Sequence, residues 1–164
     1  MRIAELAFRV LVGTYAPWYA DWVMGVPLIL LTVTMHVFGL SAITNRKLIL
    51  TYDKFIERRP YASFVVIMGI TTLLATVLHG IEAAVWAEAY CVSGALSDYK
   101  SAMLYSMSSM TTYGHESLQL EAPWQLMGAI EALNGWLLFG LTTAVLFATI
   151  QKLSTYTRGA SQSR

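Results

Sequence analysis

The chain is poor in charged residues. Only 13% of its 164 residues are Asp, Glu, Lys or Arg, whereas 56% are hydrophobic, and an average soluble domain has roughly 25% charged residues. Three stretches contain none of these four residue types, namely Trp22–Asn45, Tyr61–Ile81 and Ala132–Gln151. A helix needs about 20 residues to cross the hydrocarbon core of a bilayer, so each stretch is long enough. The sequence therefore predicts an all-α membrane protein with three transmembrane helices.

Other scarcities exclude further classes of protein. A single cysteine, Cys91, allows no disulfide framework and no thiolate metal cluster within one chain. The formal net charge of +1 gives no basic footprint for nucleic acid. No nucleophile and base stand at a recognisable catalytic spacing. We therefore expect no enzymatic activity, no nucleic-acid partner, no resident metal ion and no organic cofactor.

Basic residues are concentrated in two segments between and after the apolar stretches. Positively charged loops remain on the cytoplasmic side of a membrane, which places the N-terminus outside and the C-terminus in the cytoplasm. The predicted organisation is an interfacial amphipathic helix with an aromatic loop (1–23), a transmembrane helix (24–45), a basic cytoplasmic loop (46–60), a module with two further spans (61–152) and a short cytoplasmic tail (153–164).

The segment between the second and third spans has the pattern of a re-entrant loop. Asp98 is a suitable N-cap for a helix near residues 98–111, which is too short to span a bilayer. The helix is followed by Thr111-Thr112-Tyr113-Gly114-His115-Glu116. Non-helical backbone occurs at membrane depth only where protein buries it or where it lines a water-filled cavity. The segment therefore predicts a short helix and a loop facing a pore.

Several motifs together carry a resemblance to a known family. They are Met35–Leu40 in the first span, His79–Glu82 with Trp86 and Ala87 in the second, Thr111-Thr112-x-Gly114 in the loop, Trp124, and Glu131–Gly135 with Phe139–Gly140 in the third. Over roughly residues 26–152 the chain resembles small bacterial potassium-channel-like proteins of the two-transmembrane pore superfamily, with one extra N-terminal span. The resemblance implies an outer helix, a pore helix, a selectivity-filter loop and an inner helix. It also implies a homotetramer in the lipid of a bacterial inner membrane.

The filter departs from the family pattern in its outer half. Against the family's Thr-Thr-Val-Gly-Tyr-Gly-Asp, this chain has Thr111-Thr112-Tyr113-Gly114-His115-Glu116-Ser117. Glu116 replaces the second glycine, where the left-handed backbone would cost a side chain about 1 to 3 kcal/mol. We therefore expect the inner carbonyl sites of Thr111 to Tyr113 to remain and the outer ones to be lost.

This departure predicts a cation channel with weak or altered selectivity. Four Glu116 carboxylates would form an acidic ring that attracts cations, so K⁺ or Na⁺ would pass and Ca²⁺ could bind at the ring. Near the predicted mouth of the pore, Lys100 is accompanied by four acidic residues, namely Glu88, Asp98, Glu116 and Glu121. Alternatively, Glu116 folds away from the axis, or the protein is a non-conducting membrane scaffold or regulatory subunit that keeps the pore fold.

Polar residues and glycines inside the spans have two interpretations each. The polar residues are His36, His79, Glu82, Glu131 and Asn134. Buried polar groups usually form hydrogen bonds, which favours a structural network behind the pore helix, with Glu131 bonded to Asn134. The alternatives are a metal-binding pair of His79 with Glu82 and a proton-sensing His36. Gly135 and Gly140 are either gating hinges or close-packing positions.

Overall fold

The computed structural model describes residues 19–44, 60–114 and 118–162. They form helices α1 (Tyr19–Ile43), α2 (Pro60–Ser93), α3 (Tyr99–Met110) and α4 (Gln125–Gln162), with a 3₁₀ turn at Ala122–Trp124 before α4. These ranges contain no β-strand. The segments Tyr19–Ile43, Tyr61–Ser93 and Ala122–Lys152 are long and apolar enough to cross a membrane. The prediction of an all-α membrane protein with three spans is thereby confirmed.

Several predictions concern residues outside the described ranges. They include the whole interfacial helix within residues 1–18, nearly all of the basic loop, and the filter residues His115 and Glu116. The segment predicted as a tail from residue 153 is helical as far as Gln162, because α4 continues through it. Helix α2 continues to Ser93, twelve residues beyond the end of the charge-free stretch at Ile81.

Helix α1 begins at Tyr19, five residues before the predicted start at residue 24. Its first turn contains Asp21, which lies in the segment that the sequence analysis assigned to an aromatic loop. The structure explains its position, because the Asp21 side chain is buried and accepts a hydrogen bond from the backbone N–H of Met127. Met127 lies in the first turn of α4, where N–H groups lack partners within their own helix. Asp21 therefore caps α4.

The contacts divide the chain into two compact units. One, the α3 unit, comprises Met1–Thr34 and Gly80–Leu138 and contains α3. The other, the histidine unit, comprises Met35–His79 and Phe139–Arg164 and contains His36 and His79.

The α3 unit has an apolar core assembled from all four helices. Its buried residues include Trp86 and Tyr90 of α2, Met110 of α3, and Met127 and Ile130 of α4, against which α1 residues such as Leu28 pack. Small residues let membrane helices approach closely, and Ala83, Ala87 and Ala102 are all fully buried where α2 meets α3. The core therefore fixes α3 against the neighbouring spans.

The histidine unit is built from the remaining parts of α1, α2 and α4. Leu40, Ile67 and Ala75 are among its buried apolar residues. Gly39 of α1 lies against Leu78 of α2, where a Cβ would be 2.6 Å from Leu78 Cδ2. This close approach brings α1 and α2 together beside His36 and His79.

Candidate functional site

The C-terminus of α3 is closed by a Schellman motif with threonine in the position that glycine usually occupies. The N–H of Thr112 bonds the carbonyl of Ser109 at 2.9 Å, and the N–H of Tyr113 bonds the carbonyl of Ser108 at 2.9 Å. This pattern requires a left-handed residue after the helix, and Thr112 has φ 56°. A non-glycine residue pays roughly 1 to 2 kcal/mol for this conformation. Thr112 therefore carries backbone strain that the sequence analysis did not anticipate. Glu116, where the sequence analysis considered such strain, lies outside the described residues.

The loop after α3 presents its carbonyls rather than its N–H groups. The N–H groups of Thr111 and Gly114 also bond carbonyls of α3, those of Met107 and Ser108. Within the described residues, no backbone N–H bonds a carbonyl of Thr111 to Gly114. Gly114 has φ 72°, a value that glycine adopts without strain. Carbonyl oxygens at a helix C-terminus, the negative end of the helix dipole, are suited to binding a cation.

The side chains of this loop are exposed in the single chain. Those of Thr111, Thr112 and Tyr113 are all exposed, and Tyr113 has 83% of its surface accessible. A cavity of about 430 Å³ lies beside the loop, and its lining includes Ser108, Ser109, Thr112 and Gln125. The structure therefore brings Thr111, Thr112, Tyr113 and Gly114 into one exposed loop.

Helix α4 meets the end of α3 through glycines. A Cβ at Gly135 would overlap the backbone carbonyl of Met110, and a Cβ at Gly128 would overlap the Tyr105 hydroxyl. The Ser109 hydroxyl donates a 2.6 Å hydrogen bond to the Gly128 carbonyl. Gly135 therefore occupies a close-packing position. A Cβ at Gly140 would have no neighbour within 4 Å, and α4 continues through both glycines.

Glu131 of α4 joins α2 and α3. Its side chain is fully buried. Tyr90 donates a hydrogen bond to Oε2 at 2.6 Å, and the Ser106 hydroxyl lies 2.5 Å from Oε1. Ser106 also lies 2.7 Å from the carbonyl oxygen of Ala83. Of the five residues predicted to form a network behind α3, Glu131 is thus bonded to α3, through Ser106. Its partners Tyr90 and Ser106 were not among the residues that the sequence analysis named.

Asn134 takes part in a different contact from the one predicted. It donates a 2.8 Å hydrogen bond to the Thr32 hydroxyl of α1, so it does not serve as the partner of Glu131. Residues three apart on a helix point in directions that differ by about 60°. This difference is enough to direct Glu131 towards α2 and α3, and Asn134 towards α1.

In the histidine unit, one hydroxyl joins two buried imidazoles. Thr142 Oγ1 lies 3.0 Å from His36 Nε2 and 3.1 Å from His79 Nε2. The two rings have centroids 5.0 Å apart, and His79 also stacks on Phe139 at 4.4 Å. The sequence does not indicate this role of Thr142, because the hydroxyl of a threonine in an apolar span usually bonds a carbonyl of its own helix. Glu82, one turn after His79 on α2, is fully buried in the α3 unit.

Exposed acidic residues precede and follow α3. Glu88, Asp98 and Glu121 are exposed, as is Lys100. Asp98 is the N-cap of α3, as predicted, and its side chain accepts the Ser101 N–H at 2.9 Å. This hydrogen bond holds the pKa of Asp98 below its ordinary value. Asp98 therefore stabilises the start of α3 in addition to carrying negative charge.

Comparison with other proteins does not supply a function. No protein-family model, no curated protein and no solved structure matches the chain. The function is therefore argued from the loop at Thr111–Gly114 and from the helices that hold it.

Proposed function

We propose that the protein is a homotetrameric cation channel whose pore is lined by the loop that follows α3. The observation that carries the proposal is the loop's backbone: its N–H groups bond α3, and its carbonyls from Thr111 to Gly114 have no backbone partner in the described part of the chain. Carbonyl oxygens that replace the water around a cation are the chemical basis of a potassium-type filter.

The position of α3 supports this proposal. Its 12 residues are too few to span a bilayer, and it lies between two candidate spans, Tyr61–Ser93 and Ala122–Lys152. Asp98 caps its start, while Ser106, Ser109 and Gly135 hold its second half. A short, firmly held helix can present its C-terminal carbonyls at a fixed position, where they can replace part of the water around a cation.

One loop does not enclose an axis, so the proposal requires several copies. Filters of this type are built from four loops. The single chain exposes apolar side chains that water would not favour, among them Tyr113 at 83% and Trp136 at 71%, together with Leu133 and Leu137. Neighbouring copies and lipid would cover these residues, consistent with a homotetramer in a membrane. The basic residues of the sequence support a cytoplasmic C-terminus, and the family resemblance supports a bacterial inner membrane.

We propose weak discrimination between K⁺ and Na⁺. The outer carbonyl rings of the family filter need glycine where this chain has Glu116, so fewer ordered carbonyl sites are available. A ring of Glu116 carboxylates would attract cations by charge, with little preference between two monovalent ions. Ca²⁺ would bind more tightly there, because it neutralises carboxylates that repel one another.

The direct test records currents from purified full-length protein in planar bilayers. Glu116→Gln should lower the conductance at low salt and reduce block by Ca²⁺. Glu121→Gln is the matched control, because screening should abolish its effect as ionic strength rises. Equal and salt-screened effects of the two variants would place Glu116 outside the ion path.

The second candidate function is a non-conducting scaffold or regulatory subunit. Its support is the same replacement of the second filter glycine by Glu116. Native mass spectrometry and flux measurements on one sample separate the two functions. A stable tetramer that passes no cation would favour the scaffold.

A further inference from the structure

Glu131 is a buried carboxyl group, and none of the buried residues that the structure describes is a Lys or Arg that could pair with it. The titratable side chains that interact with it are those of Tyr90 from α2 and Tyr105 from α3, and Asp21 from α1 interacts in turn with Tyr90. All of them are acids. Glu82 of α2, which is also buried, is an acid as well. An ionised carboxylate in such surroundings would lack compensation for its lost hydration.

The Glu131 carboxyl has hydrogen-bond contacts with the hydroxyls of Tyr90, Ser106 and Ser109, and the Ser109 proton is donated to a backbone carbonyl of α4. Ser106 has one hydroxyl proton, but two acceptor oxygens lie within hydrogen-bond distance, Glu131 Oε1 at 2.5 Å and the Ala83 carbonyl at 2.7 Å. If Glu131 were ionised, Ser106 could donate to only one of them. If Glu131 carries a proton on Oε1, it donates to Ser106, and Ser106 donates to Ala83. Tyr90 then donates to Oε2 at 2.6 Å. In this arrangement each of these hydrogen bonds has one donor and one acceptor.

We propose that Glu131 is a neutral carboxylic acid at neutral pH and that its proton holds α3 in place through Ser106. Glu131 donates to Ser106 and Ser106 donates to the Ala83 carbonyl, so these two hydrogen bonds link α4, α3 and α2. Glu131 is therefore a positioning residue for the loop that begins at Thr111. Its effect on conduction rests on the proposed channel function, whereas its protonation does not.

Infrared spectroscopy of the full-length protein in lipid nanodiscs tests the protonation directly. At neutral pH the difference between wild-type and Glu131→Gln spectra should contain the carbonyl band of a carboxylic acid, and this band should shift in D₂O. Loss of a carboxylate band in Glu131→Gln at the same pH would overturn the proposal. If this variant does not fold, Ser106→Ala takes its place: the acid band should move to higher frequency because its acceptor is gone, and an unmoved band would contradict the proposal.

Stability against pH is the second measurement. An unfolded glutamate loses its proton above about pH 4.3, so the native state would hold one more proton than the unfolded state. Wild-type stability should therefore fall as pH rises through neutrality. Glu131→Gln, whose amide can donate to Ser106 and accept from Tyr90, should melt near the wild-type temperature and lack this slope. The exposed Glu88→Gln should keep it, and an unchanged slope in Glu131→Gln would overturn the proposal.

Conduction then tests the positioning role separately. Alkaline pH should reduce wild-type currents, and Glu131→Gln should remove this pH dependence. An identical pH profile in wild type and Glu131→Gln would overturn the positioning role. If no variant conducts while the infrared band is present, the channel function fails and the protonation of Glu131 stands.

Discussion

The carbonyl of Met110, the last residue of α3, lies so close to Gly135 of α4 that a side chain there would overlap it. Gly135→Ala should therefore destabilise the protein by about 1 to 3 kcal/mol, the usual cost of inserting a methyl group into tight packing. Gly140→Ala is the matched control, because its Cβ has no neighbour within 4 Å. Thermal unfolding in detergent measures both. Equal melting temperatures for the two variants would contradict this account of Gly135.

Thr112 adopts a left-handed conformation that suits glycine better. Thr112→Gly should stabilise the fold by about 1 kcal/mol, since the removed strain exceeds the added entropy of the unfolded chain. Thr76→Gly, in the interior of α2, should instead destabilise by about 1 kcal/mol. Chemical or thermal unfolding gives the two signs. A destabilised Thr112→Gly would show that the Schellman motif at the end of α3 is not strained.

Capping by Asp98 should depend on pH. The Ser101 N–H holds the pKa of Asp98 below its ordinary value, so the ionised cap stabilises α3 at neutral pH. This stabilisation should be lost as pH falls from about 4 through the lowered pKa. Asp98→Asn should retain a cap and lose that part of the acid dependence, as a comparison of melting temperatures between pH 7 and pH 3 will show. Identical acid profiles would exclude a charged cap.

The Thr142 hydroxyl should stabilise the fold, because it lies within hydrogen-bond distance of both His36 and His79. Thr142→Val keeps the shape and removes the hydroxyl, which leaves buried nitrogens without this partner at a cost of about 1 to 3 kcal/mol. Thr142→Ser should recover most of that loss. Thr143→Val is the control, because Thr143 is exposed and its hydroxyl donates to the Phe139 carbonyl of its own helix. Equal free energies of unfolding for Thr142→Val and Thr143→Val would contradict this stabilising role of the Thr142 hydroxyl.

Local signals were sufficient to predict the helices. Charge-free runs identify the three spans, and Asp98 marks the start of α3, because both depend on residues adjacent in sequence. The early start of α1 was missed because residues up to 23 were assigned to an interfacial helix and an aromatic loop. In the fold, Asp21 of this segment caps α4.

Long-range contacts could not be predicted in the same way. The sequence indicates that Glu131 needs a partner, but Tyr90 and Ser106 lie 41 and 25 residues away. Thr142 joins His36 and His79 across 106 and 63 residues. The left-handed Thr112 was also unexpected, because helix closure by threonine follows from how α3 packs, and propensity alone would place glycine there.

A cation pore that is lined by the loop after α3 and has few ordered carbonyl sites should pass K⁺ and Na⁺ with little discrimination. The most direct test is the reversal potential of purified full-length tetramers in a bilayer with K⁺ on one side and an equal concentration of Na⁺ on the other. We expect a cation current that reverses near zero in the wild type, and a reversal potential shifted towards potassium selectivity in the double variant His115→Tyr with Glu116→Gly. Strong potassium selectivity in the wild type, or tetramers that carry no cation current, would contradict this expectation.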